Sequence, residues 1–417
     1  MAGRLSLSPR RRRVWATMKA SNASLLVFIF LLSFGLRLLS AFHTPRMVDD
    51  ESLYTYAGLV YVSNLLSGKL SGSAYMVNSA HPDLAKLVFG FFAKAPWLNT
   101  SLPGCTETCA GLATPSEILQ ARIGDAFLTS FGPLMLYELV AKYDKLGAVA
   151  SSIFLATYPY FVFWSSLAYL DAICATFMLG ALWFFSRSQE LLKYRDYVLS
   201  GIFSGLSLAS KYFGFLTFVI ILGLLLARWS REAGRSRLRH QFLGLAILIV
   251  ASLVSFYVTN PMIWGQPCVL FQSVAPHFSK MSVLENRPWY AYLEWIIVKT
   301  PPVALLGVFA GLVFGAYEVA SAYRSQAAQE TTLALVYLAV TVTFLTLLHD
   351  KYDHYFTIAV PAVAALGGIG VGRLSGMIGT RRLRRIQLRW LILGVLLALH
   401  FIGLIAVYAI FSNYLAL

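Results

Sequence analysis

Met47-Val48-Asp49-Asp50-Glu51 places three carboxylates side by side, directly after the first long apolar run of the chain at residues 24–42. A second polar cluster, His81-Pro82-Asp83-Leu84-Ala85-Lys86, follows in the same segment. Charge clustered beside an apolar run has to be hydrated or paired, so such clusters often mark a functional site. Taken alone, the stretch fits an acidic solvated loop equally well, and the surrounding sequence has to distinguish the two.

Composition indicates the class of protein. Of the 417 residues, 58% are hydrophobic and 13% are charged, about half the charged fraction of a soluble domain. Many apolar runs are long enough to cross the hydrocarbon core of a bilayer. We therefore predict an all-α polytopic membrane protein with a single transmembrane domain over residues 1–417 and no separate soluble domain. The roughly 11 transmembrane helices are expected at residues 24–42, 121–141, 146–164, 168–185, 197–212, 214–227, 241–259, 296–319, 331–348, 355–374 and 390–411.

The net charge of +15 is concentrated in short segments between these runs, at residues 10–13, 228–239 and 381–389. This is the pattern of cytoplasmic loops, whose natural partners are anionic membrane lipids, and it argues against nucleic-acid binding. The predicted orientation is a cytoplasmic N-terminus in the plasma membrane. It places the loops at residues 44–120, 260–295 and 349–354 on the extracytoplasmic face, where no nucleotide sugar is present.

The first extracytoplasmic loop is too long for a plain connection. Its apolar residues recur at helical spacing, which predicts amphipathic helices at residues 51–66 and 84–95. Cys105 and Cys109 in the same loop are consistent with a small disulfide on an oxidising side of the membrane, and the sequence leaves open whether it forms.

The predicted topology brings polar residues from distant segments to one face. These candidate site residues are Asp49, Asp50, Glu51, His81, Asp83, Lys86, Arg122, Asp171, Lys211, His277, Arg287, Trp289, Lys351 and Tyr352. A carboxylate can accept a proton from an incoming hydroxyl, while Lys and Arg stabilise a departing phosphate. The structural alternatives are that Arg122 and Lys211 reach lipid headgroups, that Asp171 forms an ion pair with one of them, and that aromatic residues such as Trp289 belong to an interfacial belt.

We predict no metal site of Cys and His ligands. The alternative of a divalent cation held by the carboxylates of Asp49, Asp50, Glu51 and Asp350 remains open.

An ordered set of motifs resembles the GT-C membrane glycosyltransferases, specifically the protein O-mannosyltransferase and aminoarabinose-transferase-like superfamily. The resemblance covers about residues 24–365. Its motifs are the Asp50-Glu51 pair, His81-Pro82-Asp83-Leu84-Ala85-Lys86 beside the family's His-Pro-Pro-Leu-Gly-Lys, the stretches 159–171 and 205–214, and the loop from His277 to Trp289. Asp83 departs from the family, which has a second proline there.

The resemblance implies a GT-C-like bundle and an inverting transfer of a mannose-like hexose from a polyprenyl or dolichyl phosphate to a hydroxyl or amine of a protein, lipid or glycan. It implies Asp50 as the catalytic base, with Glu51 assisting the acceptor or the local structure. Arg122 is the first candidate to bind the donor phosphate, followed by Lys211, Arg287 and Lys351. The remaining candidates would line the substrate pocket, and no cofactor is required.

Two other classes of function remain as alternatives. A transporter or lipid flippase would show inverted repeats and broken helices that meet at mid-membrane. The sequence shows no internal repeat, and its charges lie near one face. A non-catalytic family member would bind lipid as a scaffold without turnover.

Overall fold

A computed structural model describes residues 9–44, 50–94, 112–142, 144–229, 235–268, 270, 287–321, 327–348, 351–378, 388, 390–402 and 404. These residues are helical for the most part, and they contain no strand. The helices are α1 (Pro9–His43), α2 (Glu51–Leu66), α3 (Leu84–Lys94), α4 (Pro115–Thr129), α5 (Gly132–Val140), α6 (Lys145–Thr157), α7 (Pro159–Trp164), α8 (Leu170–Leu191), α9 (Tyr194–Ser210), α10 (Leu216–Trp229), α11 (Arg235–Val258), α12 (Ala291–Lys299), α13 (Pro302–Ser321), α14 (Ala327–Leu347) and α15 (Val360–Ile378). A further helical segment occupies residues 390–402.

Among the described residues, four helical stretches are long and apolar enough to cross a membrane: Ala23–His43, Leu170–Gln189, Arg239–Val258 and Val360–Met377. Shorter apolar helices accompany them at Lys145–Thr157, Tyr212–Ala227, Pro302–Tyr317, Thr331–Leu347 and Trp390–Ile402. The structure therefore agrees with an all-helical, multi-pass membrane protein. The total of 11 transmembrane helices stays a prediction.

Three predicted transmembrane helices are each broken into two, and this corrects their boundaries. The segment predicted at 121–141 is divided between α4 and α5, next to Pro133. The segment at 146–164 is interrupted at Tyr158, before Pro159, and the segment at 296–319 is interrupted between α12 and α13, before Pro302. Tyr158 and Thr300 each precede a proline and have extended backbone, because proline disfavours the helical region for the residue before it. Pro133 lies in the first turn of α5, where the missing N–H costs no helical hydrogen bond.

Helices are present at both places where the first loop was predicted to carry them, as α2 and α3. These two helices pack against each other, and α3 also packs on α4. Further along the chain, α9 packs against both α8 and α11, and α15 packs against both α6 and α13. The start of α2, which carries Glu51, is thereby brought onto the core helices.

The contact between α2 and α3 depends on two glycines. A Cβ atom at Gly90 would lie 2.7 Å from the Cα atom of Gly58, and one at Gly58 would lie 2.6 Å from the backbone nitrogen of Gly90. Backbone atoms cannot move aside as a flexible side chain can, so the two helices approach this closely only without side chains at the crossing.

We expect Gly90→Ala to separate α2 from α3 and to destabilise the protein by about 1–3 kcal/mol, the usual cost of overpacking. Thermal unfolding of the detergent-solubilised protein measures the effect. Gly35→Ala is the matched control, because a Cβ atom there meets no heavy atom within 4 Å. Equal unfolding temperatures for the two variants would contradict the close crossing.

Candidate active site

The centre of the site is a buried ion pair between Glu51, the first residue of α2, and Arg122 in α4. Arg122 Nε donates to Glu51 Oε1 at 2.8 Å and Nη2 donates to Oε2 at 2.7 Å, with both side chains fully buried. Arg122 Nη1 also donates to the carbonyl oxygens of Ala41 and Thr44, at 3.2 and 2.8 Å. The Ala168 N–H donates to Glu51 Oε1 at 2.9 Å. This environment argues against Arg122 as a phosphate ligand and favours a role in positioning.

Asp50, beside Glu51 in the sequence, has the opposite environment. It is the N-cap residue of α2, it is exposed, and its side chain makes no capping hydrogen bond. The buried Tyr54, one turn along α2, donates its hydroxyl to Asp50 Oδ2 at 3.2 Å. Burial, and secondarily the Asp50 carboxylate, raise the pKa of the Tyr54 phenol, so Tyr54 remains a neutral donor.

A row of aromatic rings continues from Tyr54 into the protein. Tyr54 meets Tyr169 edge-on, with ring centroids 5.8 Å apart, and Tyr169 meets Trp164 at 5.0 Å. His354 lies 5.3 Å from Tyr169 and 5.5 Å from Trp164. The His81 ring contacts Tyr54 at 5.7 Å. Burial, together with the charge of Lys211, lowers the pKa of His354 well below its usual range, so its imidazole is neutral at pH 7.

Lys211, at the end of α9, pairs with Asp171 at the start of α8. Its Nζ atom lies 2.7 Å from each oxygen of the Asp171 carboxylate, and the two side chains are 5% and 0% exposed. The Lys211 ammonium also lies 4.4 Å from the centroid of the Tyr355 ring. The structure therefore contains the ion pair that the sequence left open as the alternative role of Asp171. The Asp171 carboxylate offsets the charge that Lys211 could offer to a phosphate.

Asp83 and Lys86 form a second buried pair, with Nζ and Oδ1 3.2 Å apart. Lys86 Nζ donates to the carbonyl oxygens of Asn78 and His81 at 2.6 and 2.7 Å. Burial lowers the pKa of Lys86 and raises that of Asp83, while each charge opposes the shift of the other. Both side chains are fully buried, so this pair belongs to the framework of the first loop.

Asp83 also connects that loop to a distant turn. The Met262 N–H donates to Asp83 Oδ2 at 2.7 Å, and the Asp83 N–H donates to Asn260 Oδ1 at 3.1 Å. A proline at position 83 could not donate the second of these bonds. Asp83, where the family has its second proline, thus links two loops.

A more accessible group of charges lies around Asp353. Arg287 Nη1 lies 3.3 Å from Asp353 Oδ1, and Lys299 Nζ lies 2.6 Å from Oδ2. The Asp353 side chain is 42% exposed and that of Arg287 is 38% exposed. Of the cations predicted to bind phosphate, Arg287 is thus more open to a ligand than Arg122 or Lys211.

Lys351 is 6% exposed, and its Nζ atom donates to the carbonyl oxygen of Leu348 at 2.9 Å. No carboxylate among the described residues forms an ion pair with it. Tyr352, the next residue, stacks on the His354 ring at 5.5 Å, whereas Trp289 is 67% exposed and contacts the Tyr290 ring. Tyr352 is therefore part of the aromatic group around His354, and Trp289 lies on the surface.

Several predicted residues lie outside the described part of the chain: Asp49, Cys105, Cys109, His277 and Asp350. In the part that the structure describes, no group of three or more His, Cys, Asp and Glu side chains is placed to hold a metal ion. The alternative of a cation bound by Asp49, Asp50, Glu51 and Asp350 therefore stays a prediction, and Glu51 among them is paired with Arg122.

The sequence analysis did not include Tyr54, Lys299 or Asp125 among the candidate residues, and it did not predict that Asp353 pairs with two cations. Asp125 is a fully buried acid one turn after Arg122. Two of them carried a readable signal. Tyr54 lies four residues after Asp50 on a predicted helix, so the two side chains had to be neighbours. Asp125 is a carboxylate in a predicted transmembrane helix, which is costly in lipid.

We expect Glu51→Gln to destabilise the protein by about 3–5 kcal/mol, because it leaves the buried Arg122 charge without a counter-charge. Unfolding temperature and denaturant midpoint report the loss. Glu294→Gln is the control: it makes the same substitution at an exposed acid of α12, so a cost of about 0.5 kcal/mol or less is expected. A Glu51→Gln protein as stable as this control would contradict the positioning role of the pair.

Known proteins supply an independent comparison. Residues 112–257 match the sequence family described as dolichyl-phosphate-mannose-protein mannosyltransferase. No curated protein matches the chain by sequence.

The fold is similar to that of ArnT from Cupriavidus metallidurans bound to undecaprenyl phosphate, with a TM-score of 0.63 and 14% identity over 91% of this chain and 74% of that chain. It is also similar to the oligosaccharyltransferase of Archaeoglobus fulgidus, with a TM-score of 0.58 and 16% identity over 92% of this chain and 55% of that chain. These findings confirm the resemblance predicted from the sequence: the protein has the GT-C fold of these structures. Its residues 112–257 match the mannosyltransferase family in sequence.

Proposed function

We propose that the protein transfers a mannose-like hexose from a polyprenyl or dolichyl phosphate to an acceptor hydroxyl or amine, with inversion, and that Asp50 is the general base. One observation carries the assignment of the base. Of the two adjacent acids, Glu51 is buried in its pair with Arg122, whereas Asp50 is exposed. Only Asp50 can therefore reach the proton of an incoming acceptor.

The proposed reaction is a single displacement. The acceptor gives its proton to a carboxylate oxygen of Asp50 while its own oxygen or nitrogen attacks the anomeric carbon of the sugar. The bond from that carbon to the phosphate oxygen breaks on the opposite face, and its electron pair leaves with the lipid phosphate. Tyr54 donates to Asp50 Oδ2, which orients the carboxylate and leaves Oδ1 for the acceptor.

The row of aromatic rings is the proposed binding site of the sugar. Tyr54 at one end of the row contacts Asp50, and His354 at the other end follows Asp353 in the sequence. The ring contacts that join them through Tyr169 and Trp164 measure 5.0 to 5.8 Å. Apolar faces of a hexose pack well on such rings, and the neutral His354 and Tyr54 can hydrogen-bond to sugar hydroxyls.

Of the four cations predicted to bind the donor phosphate, two are better placed to contact it. Arg122 is enclosed by Glu51 and two carbonyl oxygens, and Lys211 is neutralised by Asp171. Arg287 is partly exposed, and Lys351 is a buried cation whose charge no described carboxylate balances. A buried cation is stabilised by an opposite charge, so a phosphate beside Lys351 would supply the negative charge that the described residues do not. We therefore assign the donor phosphate to Arg287 and Lys351.

The comparisons support the two substrates in general terms. The family name gives dolichyl-phosphate mannose as donor and a protein as acceptor, and the similar ArnT structure holds undecaprenyl phosphate. The archaeal oligosaccharyltransferase has also been captured with an acceptor peptide. The proposed steps use no cofactor and take place on the extracytoplasmic face of the plasma membrane, as the distribution of basic residues predicts.

We expect Asp50→Asn to reduce transfer by about 10²- to 10⁴-fold, the usual contribution of a general base. Purified protein is mixed with a polyprenyl-phosphate sugar and an acceptor, and release of the polyprenyl phosphate is followed. Glu294→Gln is the control, since Glu294 is an exposed acid on α12 and its loss should leave the rate unchanged. Full turnover by Asp50→Asn would refute the assigned mechanism.

Lys351→Gln should weaken binding of a polyprenyl phosphate about ten- to hundredfold, because it removes a charged partner of the phosphate. Binding is measured by titration in nanodiscs. Lys69→Gln, at an exposed lysine of the first loop, should leave the affinity unchanged. If both variants bind as the unsubstituted protein does, Lys351 does not contact the phosphate.

A further inference from the structure

Asp353 is the carboxylate that Arg287 and Lys299 share. We propose that Asp353 is an internal counter-anion, which occupies these two cations in the empty enzyme and is displaced from them by the phosphate of the lipid substrate. This inference rests on the proposed function, because it takes a polyprenyl phosphate as the ligand.

Exposure distinguishes this group from the other ion pairs of the site. The Asp353 side chain is 42% exposed, whereas those of Glu51 and Asp171 are fully buried. A fully buried carboxylate cannot leave its cation without leaving an uncompensated charge behind. The Asp353 carboxylate can rotate towards the solvent at little cost. An incoming anion can then take over its contacts with Arg287 and Lys299.

The two cations are held in place by groups other than Asp353. The Arg287 guanidinium lies 5.2 Å from the centroid of the Trp295 ring. The Lys299 ammonium lies 4.4 Å from the centroids of both Trp295 and Tyr160. Cation–π contacts of this kind persist when the carboxylate departs, and they keep both donors together for a ligand with several oxygens.

The main chain of Asp353 is fixed independently of its side chain. The Tyr160 hydroxyl donates a hydrogen bond to the Asp353 carbonyl oxygen, and Asp353 begins the short 3₁₀ helix Asp353–Ile358. Displacement therefore needs only a side-chain rotation, and the carboxylate stays close enough to return. Lys351, two residues earlier, adds a cation beside the same segment.

The charge of the ligand changes during the proposed reaction. The donor is a phosphodiester with one negative charge, and the product is a monoester whose second ionisation lies near pH 6. A product with more negative charge binds more tightly to two cations and would leave slowly. A carboxylate that returns to those cations competes with the product and favours its release.

The test compares the affinity for undecaprenyl phosphate of the unsubstituted enzyme with that of Asp353→Asn, in nanodiscs. We expect binding to become about three- to tenfold tighter, because the competing charge is gone. Binding of undecaprenol, which has the same tail and no phosphate, should not change. Asp353→Ser removes the same charge and serves as the second variant if the asparagine protein does not fold.

Glu294→Gln is the matched control, because it removes one negative charge from the helix that carries Lys299 without touching the pair. It should bind undecaprenyl phosphate as the unsubstituted enzyme does. In an Arg287→Gln background, Asp353→Asn should give a smaller gain, which a double-mutant cycle measures.

Equal or weaker binding by Asp353→Asn would overturn the inference and show that Asp353 only positions the cations. The proposed function would still stand if the unsubstituted enzyme binds the lipid phosphate and transfers sugar. If the unsubstituted enzyme does neither, the proposed function fails and this inference fails with it.

Discussion

The ion pair between Glu51 and Arg122 joins the segments on which the site depends. One guanidinium binds the end of α1 through Ala41 and Thr44 and the start of α2 through Glu51, and Glu51 binds the chain before α8 through Ala168. Taking both charges out of water is expensive, and only a geometry that satisfies nearly every donor and acceptor offsets that cost. Since the bonds are bidentate and directional, they fix an orientation as well as a distance. The exposed Asp50, one residue away, is positioned by this rigid contact.

The helices of this arrangement can be predicted from local sequence, but the pairing of charged residues from distant helices cannot. The apolar runs identify the helices because their length and hydropathy are local properties. The breaks next to Pro133 and Pro159 could have been predicted too, since proline acts on its own turn. The pairing of Arg122 with Glu51 joins residues far apart in the chain, and the same sequence fits an arginine that reaches a lipid phosphate. Only the packing of α2 and α3 on α4 decides between these two roles.

Burial divides the charged residues of the site into two groups. The carboxylates of Glu51 and Asp171 are sealed against their cations, so these pairs serve the fold and orient the groups around them. Asp353 shares two cations at a partly open surface, where its contacts can be exchanged. Lys351 is buried beside a neutral carbonyl, an arrangement that a bound anion would stabilise. The sequence shows the same residue types at all these places, and burial separates a structural charge from one that is available to a ligand.

Asp50 and Glu51 show how two adjacent acids acquire different roles. Asp50 is the N-cap residue and Glu51 the first residue of α2, and successive positions on a helix point in directions about 100° apart. When α3 and Arg122 hold one face of the helix against the core, Glu51 is turned inward and Asp50 outward. Repulsion between the two carboxylates is then reduced, since the guanidinium neutralises the inner one. In the proposed mechanism Asp50 accepts the proton of the acceptor at the surface, while the buried contact between Glu51 and Arg122 holds the start of α2 in place.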